Sequence, residues 1–139
     1  MSTNAPAAQS DWRLLGGVAL GGVVGSLGRY AVGLALPATS GGLPWGTLLV
    51  NLTGAAAMGL LVAWLVARPG AHPLVRPVVG VGVLGGWTTF SAFAVEVVTL
   101  LETGHGGEAA AYVLASFLGG VLAVTLGSVV GQRLWRVEA

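Results

Sequence analysis

Four long apolar runs divide this chain, and short polar stretches rich in Gly, Pro, Ser or Thr separate them. The first runs from Leu14 to Leu36 with Arg29 as its one charged residue. An α-helix needs about 20 apolar residues to cross a bilayer. The run is too long for a signal-peptide core, and no strongly basic segment precedes it. A turn over Pro37–Pro44 leads to the second run, Trp45–Ala67. The loop Arg68–Pro73 precedes the third, from about Pro77 to Leu101. Glu102–Gly107 is another polar loop, and the fourth run begins near Glu108 and fades towards Gly131. The pattern predicts an all-α membrane protein with four transmembrane helices. They form one domain, 14–132, between an N-terminal tail, 1–13, and a C-terminal tail, 133–139.

Small residues recur inside these runs at helical spacing. Gly17, Gly21, Gly25 and Gly33 share a stripe with Arg29, and Ala115, Gly119, Ala123, Gly127 and Gly131 form another. Such stripes let helix backbones approach closely in lipid, where apolar side chains gain nothing by leaving water. Trp12, Trp45 and Trp135 fall near the ends of runs, where amphipathic rings anchor at the interface. The third run contains Gly85-Gly86-Trp87-Thr88-Thr89-Phe90-Ser91-Ala92-Phe93, a poor continuous helix. Gly loses backbone entropy there and Thr restricts its rotamers. Irregular backbone survives at membrane depth only beside protein or a water-filled cavity, and transporters place ion sites at such breaks. A broken third helix and a solute path are therefore expected at this motif.

Composition removes several classes of function. Of 139 residues 55% are apolar and only 8% charged, far from the quarter or so usual in soluble domains. The six basic residues are all Arg and the net charge is +1, so no basic face exists for a nucleic acid. There is no Cys, hence no disulfide or thiolate chemistry, and His72 and His105 lie in separate loops. Nothing here argues for an enzyme.

The polar groups at membrane depth carry what chemistry there is. Thr47 and Asn51 share a face of the second helix by their i,i+4 spacing. The Asn51 amide has two readings, an interhelical hydrogen bond or a donor to a passing anion. Phe90 and Phe93 follow the break among Thr88, Thr89 and Ser91; two phenyl rings turned edge-on offer an anion their positive rims. Tyr112 and Ser116, one turn apart on the fourth helix, add hydroxyl donors or helix-helix bonds. Arg29 and Glu96 are the ionisable groups well inside apolar runs. Arg29 either snorkels or attracts anions to a vestibule, and Glu96 either pairs with Arg29 or carries a proton. Four short spans with no internal duplication leave little room for a private pore, so a second chain is expected to complete the path.

Three segments resemble the CrcB/Fluc fluoride channels: Gly25-Ser26-Leu27-Gly28-Arg29-Tyr30, Gly46-Thr47-Leu48-Leu49-Val50-Asn51-Leu52-Thr53-Gly54, and the Gly85–Phe93 motif. They occur in the family's order, and the likeness covers nearly the whole chain after the tail. It implies a fluoride-specific channel that exports fluoride passively across the cell inner membrane or plasma membrane. The subunits would form an antiparallel dimer of four-helix chains, with a structural sodium ion at its centre. By the same resemblance the sodium ligands would be the backbone carbonyls of Gly85 and Thr88. The pore-lining residues would be Asn51, Phe90, Phe93, Thr89, Ser91, Tyr112 and Ser116, with Arg29, Glu96 and Thr47 as vestibule or structural residues. Trp87 stands where the family has a smaller aliphatic residue.

Charge adds a constraint. By parity the two tails and the second loop share one side, with Arg13, Arg68, Arg76, Arg133 and Arg136; Glu102, His105 and Glu108 lie on the other. The positive-inside rule places the arginine side in the cytoplasm. An antiparallel homodimer then inserts one sequence both ways despite that bias, or an oppositely oriented paralogue completes a heterodimer. The rival function is a small proton-coupled multidrug or cation exporter of four-helix dual-topology type. Such a protein needs a carboxylate in its first span, where this chain has Arg29; its carboxylate is Glu96 on the third. A non-transporting assembly subunit would explain the glycine stripes but not the motif of the third run.

Overall fold

The computed structural model describes residues 11–39 and 41–135. Within them the regular elements are helical: α1 Asp11–Ala35, α2 Trp45–Ala67, a π-helical segment Arg76–Leu84, α3 Gly85–Trp87, α4 Phe90–Glu102 and α5 Gly106–Trp135. Four stretches are long and apolar enough to cross a membrane: Trp12–Ala35, Trp45–Ala67, Arg76–Glu102 and Gly106–Trp135. The fold is all-α, as the apolar runs imply. The outer helices reach further than the runs do, since α1 begins at Asp11 and α5 continues to Trp135. The remainder of the tails lies outside the described residues.

The helices associate as two parallel pairs. Along α1, Gly17 lies against Val78, Gly21 against Val78 and Gly82, Gly25 against Val83 and Trp87, and Gly28 against the Trp87 ring. Along α2, Ala56 meets Gly127, Gly59 meets Val124 and Ser128, and Ala63 meets Gly131 of α5. In each pair both chains run the same way. A Cβ at Gly25 or Gly127 would collide with a backbone carbonyl, of Val83 and Ala56 respectively, so these stripes serve close backbone approach. Gly33 departs from the expected stripe: it meets nothing within 4 Å, while Gly28, off the four-residue spacing, packs in its place. α1 thus turns its close-packing face away before its last turns.

The third span differs from its simple expectation in two ways. Arg76–Leu84 is wound as a π-helix, a wide turn that an apolar pattern cannot announce. Gly80 and Gly82 lie within it, and Gly82 presses on the Val18 carbonyl of α1. Gly85 and Gly86 do not interrupt the helix; both are helical, and Gly86 is small because the Gly22 carbonyl and Ser26 amide of α1 lie beside it. The extended residues are Thr88, with φ −81° and ψ 159°, and Thr89, with φ −148° and ψ 126°.

One compact core sits at the α4–α5 end, where Leu48, Leu100, Ala109 and Tyr112 are buried with Phe93 and Val97 against them. Gly104 closes α4 with φ 82°, while the His105 amide reaches back to the Leu100 carbonyl at 2.8 Å. Elsewhere large apolar side chains face outward, including Leu20, Phe117 and Leu118. In a bilayer that exposure is satisfied by lipid tails. Trp12 and Trp45 are exposed at helix starts, and the Arg68 guanidinium lies 4.9 Å from the Trp64 ring centre at the end of α2. The parallel pairing gathers Arg13, Arg68, Arg76 and Arg133 at one end, with Glu102, His105 and Glu108 at the other.

Because the α2–α5 seam is backbone against backbone, Gly127→Ala is expected to destabilise the protein by about 1–3 kcal/mol through overpacking. Gly120→Ala, where an added Cβ would meet no neighbouring atom within 4 Å, should leave the thermal unfolding temperature in detergent unchanged or raise it slightly.

Candidate functional site

The regular helical ladder of the third span ends where the Thr88 amide donates to the Leu84 carbonyl at 2.9 Å. The Thr88 hydroxyl donates to the same carbonyl at 2.9 Å. The next rung would join the Thr89 amide to the Gly85 carbonyl, but that amide donates instead to Asn51 Oδ1 at 2.8 Å. Asn51 Nδ2 in turn donates to the Thr89 carbonyl at 3.0 Å. One side chain of α2 therefore satisfies both backbone groups of a buried extended residue, as a neighbouring strand would. Thr89 starts α4 as its N-cap, its hydroxyl accepting from the Ala92 amide at 3.2 Å. Ser91 is exposed, with its hydroxyl 3.3 Å from that of Thr89.

Two further contacts brace this crossing. Trp87 Nε1 donates to the Thr53 hydroxyl at 2.9 Å, and that hydroxyl donates to the Leu49 carbonyl at 2.7 Å. The indole lies over Gly28 and beside Gly54, so glycine on both neighbouring helices makes room for the larger residue. Arg29 reaches the Thr88 carbonyl through Nη1 at a long 3.5 Å. Neither the Trp87–Thr53 pair nor the two-point clasp of Asn51 was read from the sequence. The only signals were Thr53 two residues beyond Asn51, and a tryptophan at an unexpected position.

A line of aromatic and polar groups leads from the surface into the core. Phe90 is 79% exposed. Its ring centre is 5.8 Å from that of Phe93, which is 5.1 Å from that of Tyr112, with interplanar angles of 41° and 53°. The Tyr112 hydroxyl donates to Glu96 Oε2 at 2.6 Å, and Thr47 donates to Oε1 at 2.7 Å. Glu96 and Arg29 thus hold separate partners, two hydroxyls and a carbonyl, and do not pair with each other. Tyr112 is fully buried within one chain, while the buried Ser116 hydroxyl has no hydrogen-bond partner among the described residues.

These residues border two clefts. An open apolar groove of about 600 Å³ runs past Gly85, Thr88, Phe90, Phe93, Ser116 and Phe117. A second, of about 460 Å³, is bordered by Arg29, Thr47, Thr89 and Ser91. Asn51 and Thr89 stand between Arg29's cleft and the aromatic groove, and Thr89 borders both. The sequence candidates therefore gather in one region, although Tyr112 lies beyond Phe93 in the core and half-buried Glu96 is bonded to it. Because Tyr112 is a buried donor to a carboxylate, Tyr112→Phe is expected to lower stability by roughly 1.5–3 kcal/mol, read as a fall in thermal unfolding temperature. Trp87→Phe loses one neutral bond and leaves part of the indole's space between Gly28 and Gly54 unfilled, so about 1–3 kcal/mol is expected there.

Comparison with known proteins finds relatives that match most of the chain. The family model described as CrcB-like protein, Camphor Resistance (CrcB), matches residues 17–128. The fluoride-specific ion channel FluC 2 of Thermobifida fusca (strain YX) is 43% identical over 115 residues, 83% of this chain and 85% of that protein. FluC of Paracoccus denitrificans (strain Pd 1222), also called a fluoride-specific ion channel, is 47% identical over 118 residues, 85% of this chain and 94% of its own. The FluC 2 of Nocardia farcinica (strain IFM 10152) is 39% identical over 139 residues, 100% of this chain and 98% of its own. With four membrane-length helices and matches of this extent, the chain is a multi-pass membrane protein and belongs to the CrcB family.

Proposed function

We propose that this chain is a subunit of a fluoride-specific ion channel that lowers cytoplasmic fluoride by passive export. The observation that carries the reading is the line Phe90–Phe93–Tyr112–Glu96–Thr47, which joins an exposed ring to the hydroxyls of buried Tyr112 and half-buried Thr47 through consecutive contacts. Fluoride is small and strongly hydrated, so a selective path must replace its water with close, directional donors. Ring edges and hydroxyls are such donors, and they carry no fixed positive charge that would hold the ion too tightly to leave. In the geometry above the Tyr112 and Thr47 hydroxyls donate to Glu96. Fluoride entering here competes with that carboxylate for them. Ser116, whose hydroxyl has no partner among the described residues, has its proton to donate, and Ser91 and Thr89 lie at the neighbouring cleft. Arg29 borders that cleft and gives it positive charge.

The path is open on one side, which supports an antiparallel dimer in which a second copy covers Phe90 and the apolar groove. A structural sodium ion at the dimer centre is part of the same reading. The local chemistry fits a hard cation: the Gly85 carbonyl lacks its helical amide because Thr89 turns to Asn51. The Thr88 carbonyl precedes the α4 N-cap and so takes no helical amide, the Ala92 amide being held by the Thr89 hydroxyl. Bound there, sodium would supply a charge shared by carbonyl oxygens of both copies. The long Arg29 contact leaves the Thr88 oxygen one lone pair to give. The proton-coupled exporter is less well supported, since both oxygens of Glu96 are engaged by hydroxyls of its own chain.

Purified protein in liposomes should release fluoride without a proton gradient and should retain chloride; release of both at similar rates would remove the fluoride reading. Phe93→Ile should cut fluoride efflux at least about tenfold, since each factor of ten is about 1.4 kcal/mol of barrier. Cysteines placed at either end of the chain should label from both sides of the membrane if one sequence inserts in both directions. Labelling from the cytoplasm alone would make the partner an oppositely oriented paralogue.

A further inference from the structure

The two bonds of Asn51 point to a role other than donation to a passing anion. We infer that Asn51 is a positioning residue that frees the Gly85 carbonyl for a cation, by drawing the Thr89 amide out of the helical ladder. The inference rests on the cation reading above. The Thr88 amide still bonds to Leu84 at 2.9 Å, so the helix is intact up to the rung before Thr89. At the next rung the amide is 2.8 Å from Asn51 Oδ1, and the Gly85 oxygen loses the donor a continuing helix would supply. Gly85 is exposed on the wall of the open groove, so the freed oxygen belongs to a residue that a second copy can reach.

The two ends of the amide have different consequences. Oδ1 removes the donor from Gly85. Nδ2, 3.0 Å from the Thr89 carbonyl, holds the crossing in its extended form. Without a side chain at position 51, the cheapest repair for a buried Thr89 amide in an apolar setting is to return to Gly85. The helix would then continue through the crossing and the carbonyl would be withdrawn. With an aspartate at 51 the donor to the Thr89 carbonyl is lost, but the acceptor for the Thr89 amide remains, so that amide keeps its partner and the Gly85 carbonyl stays free.

The test follows the thermal stability of the purified full-length protein in detergent. Sodium is titrated against N-methylglucamine at constant ionic strength, and the half-saturating sodium concentration is read for each variant. Asn51→Ala should raise that midpoint by about tenfold, the weight of one net hydrogen bond returned to Gly85. Asn51→Asp should hold it within about threefold of the parent. A lower melting temperature with an unchanged sodium midpoint in Asn51→Ala would make Asn51 merely structural and overturn the inference while the cation reading stands. If Asn51→Ala does not assemble, Asn51→Asp decides alone, and a tenfold rise in its midpoint overturns the inference. A parent protein with no sodium dependence removes the cation reading itself, and the inference with it.

Discussion

A backbone in hydrocarbon has no water to fall back on, so every amide and carbonyl must find a partner within the protein. The crossing at Thr88 and Thr89 meets that demand with side chains. Asn51 holds both backbone groups of Thr89, the Thr89 hydroxyl holds Ala92, and the Thr88 hydroxyl returns to Leu84. Much else near the site follows from this exchange. α4 starts afresh from its own cap, Phe90 lies at the surface, and Phe93 turns inward to Tyr112. The glycines of α1 and α2 bring the flanking helices close enough to reach the crossing.

The four spans were legible because lipid imposes a length and a composition on anything that crosses it. The second run matches α2 residue for residue, and the glycine stripes identify the seams. Of the glycines and threonines that make this stretch a poor helix in sequence, Gly85 and Gly86 are helical, because a glycine that breaks a helix looks the same in sequence as one that lets a neighbour approach. Gly86 is of the second kind, lying against Gly22 and Ser26 of α1. The π-helical winding of Arg76–Leu84 had no signature, since an apolar run surrounded by apolar partners shows no period. Resemblance located the polar residues near the site. Their partners were not legible, because hydrogen bonds between residues as distant as Asn51 and Thr89, or Thr47 and Glu96, depend on how the spans stack.

Two electrostatic regions remain distinct. Arg29 answers a carbonyl near the crossing, and Glu96 is held by hydroxyls deeper in the core. Separation keeps each group from neutralising the other. Positive charge then borders one cleft, while the carboxylate's demand for protons is met by Tyr112 and Thr47. Trp87, fitted between Gly28 and Gly54, joins these regions mechanically by tying the third span to α2 through Thr53.

The parallel pairing of the helices also bears on biosynthesis. Neighbours that run the same way are separated by an intervening crossing, so neither seam can close as a hairpin while the chain emerges. α1 must wait in the bilayer for the third span, and α2 for α5, the fourth span. Truncation by a single span at the C-terminus would strip α2 of its glycine seam and expose the backbone groups it was shaped to meet. Closure of both seams is therefore a late, collective event, and quality control would meet an unpaired α2 until α5 has been made.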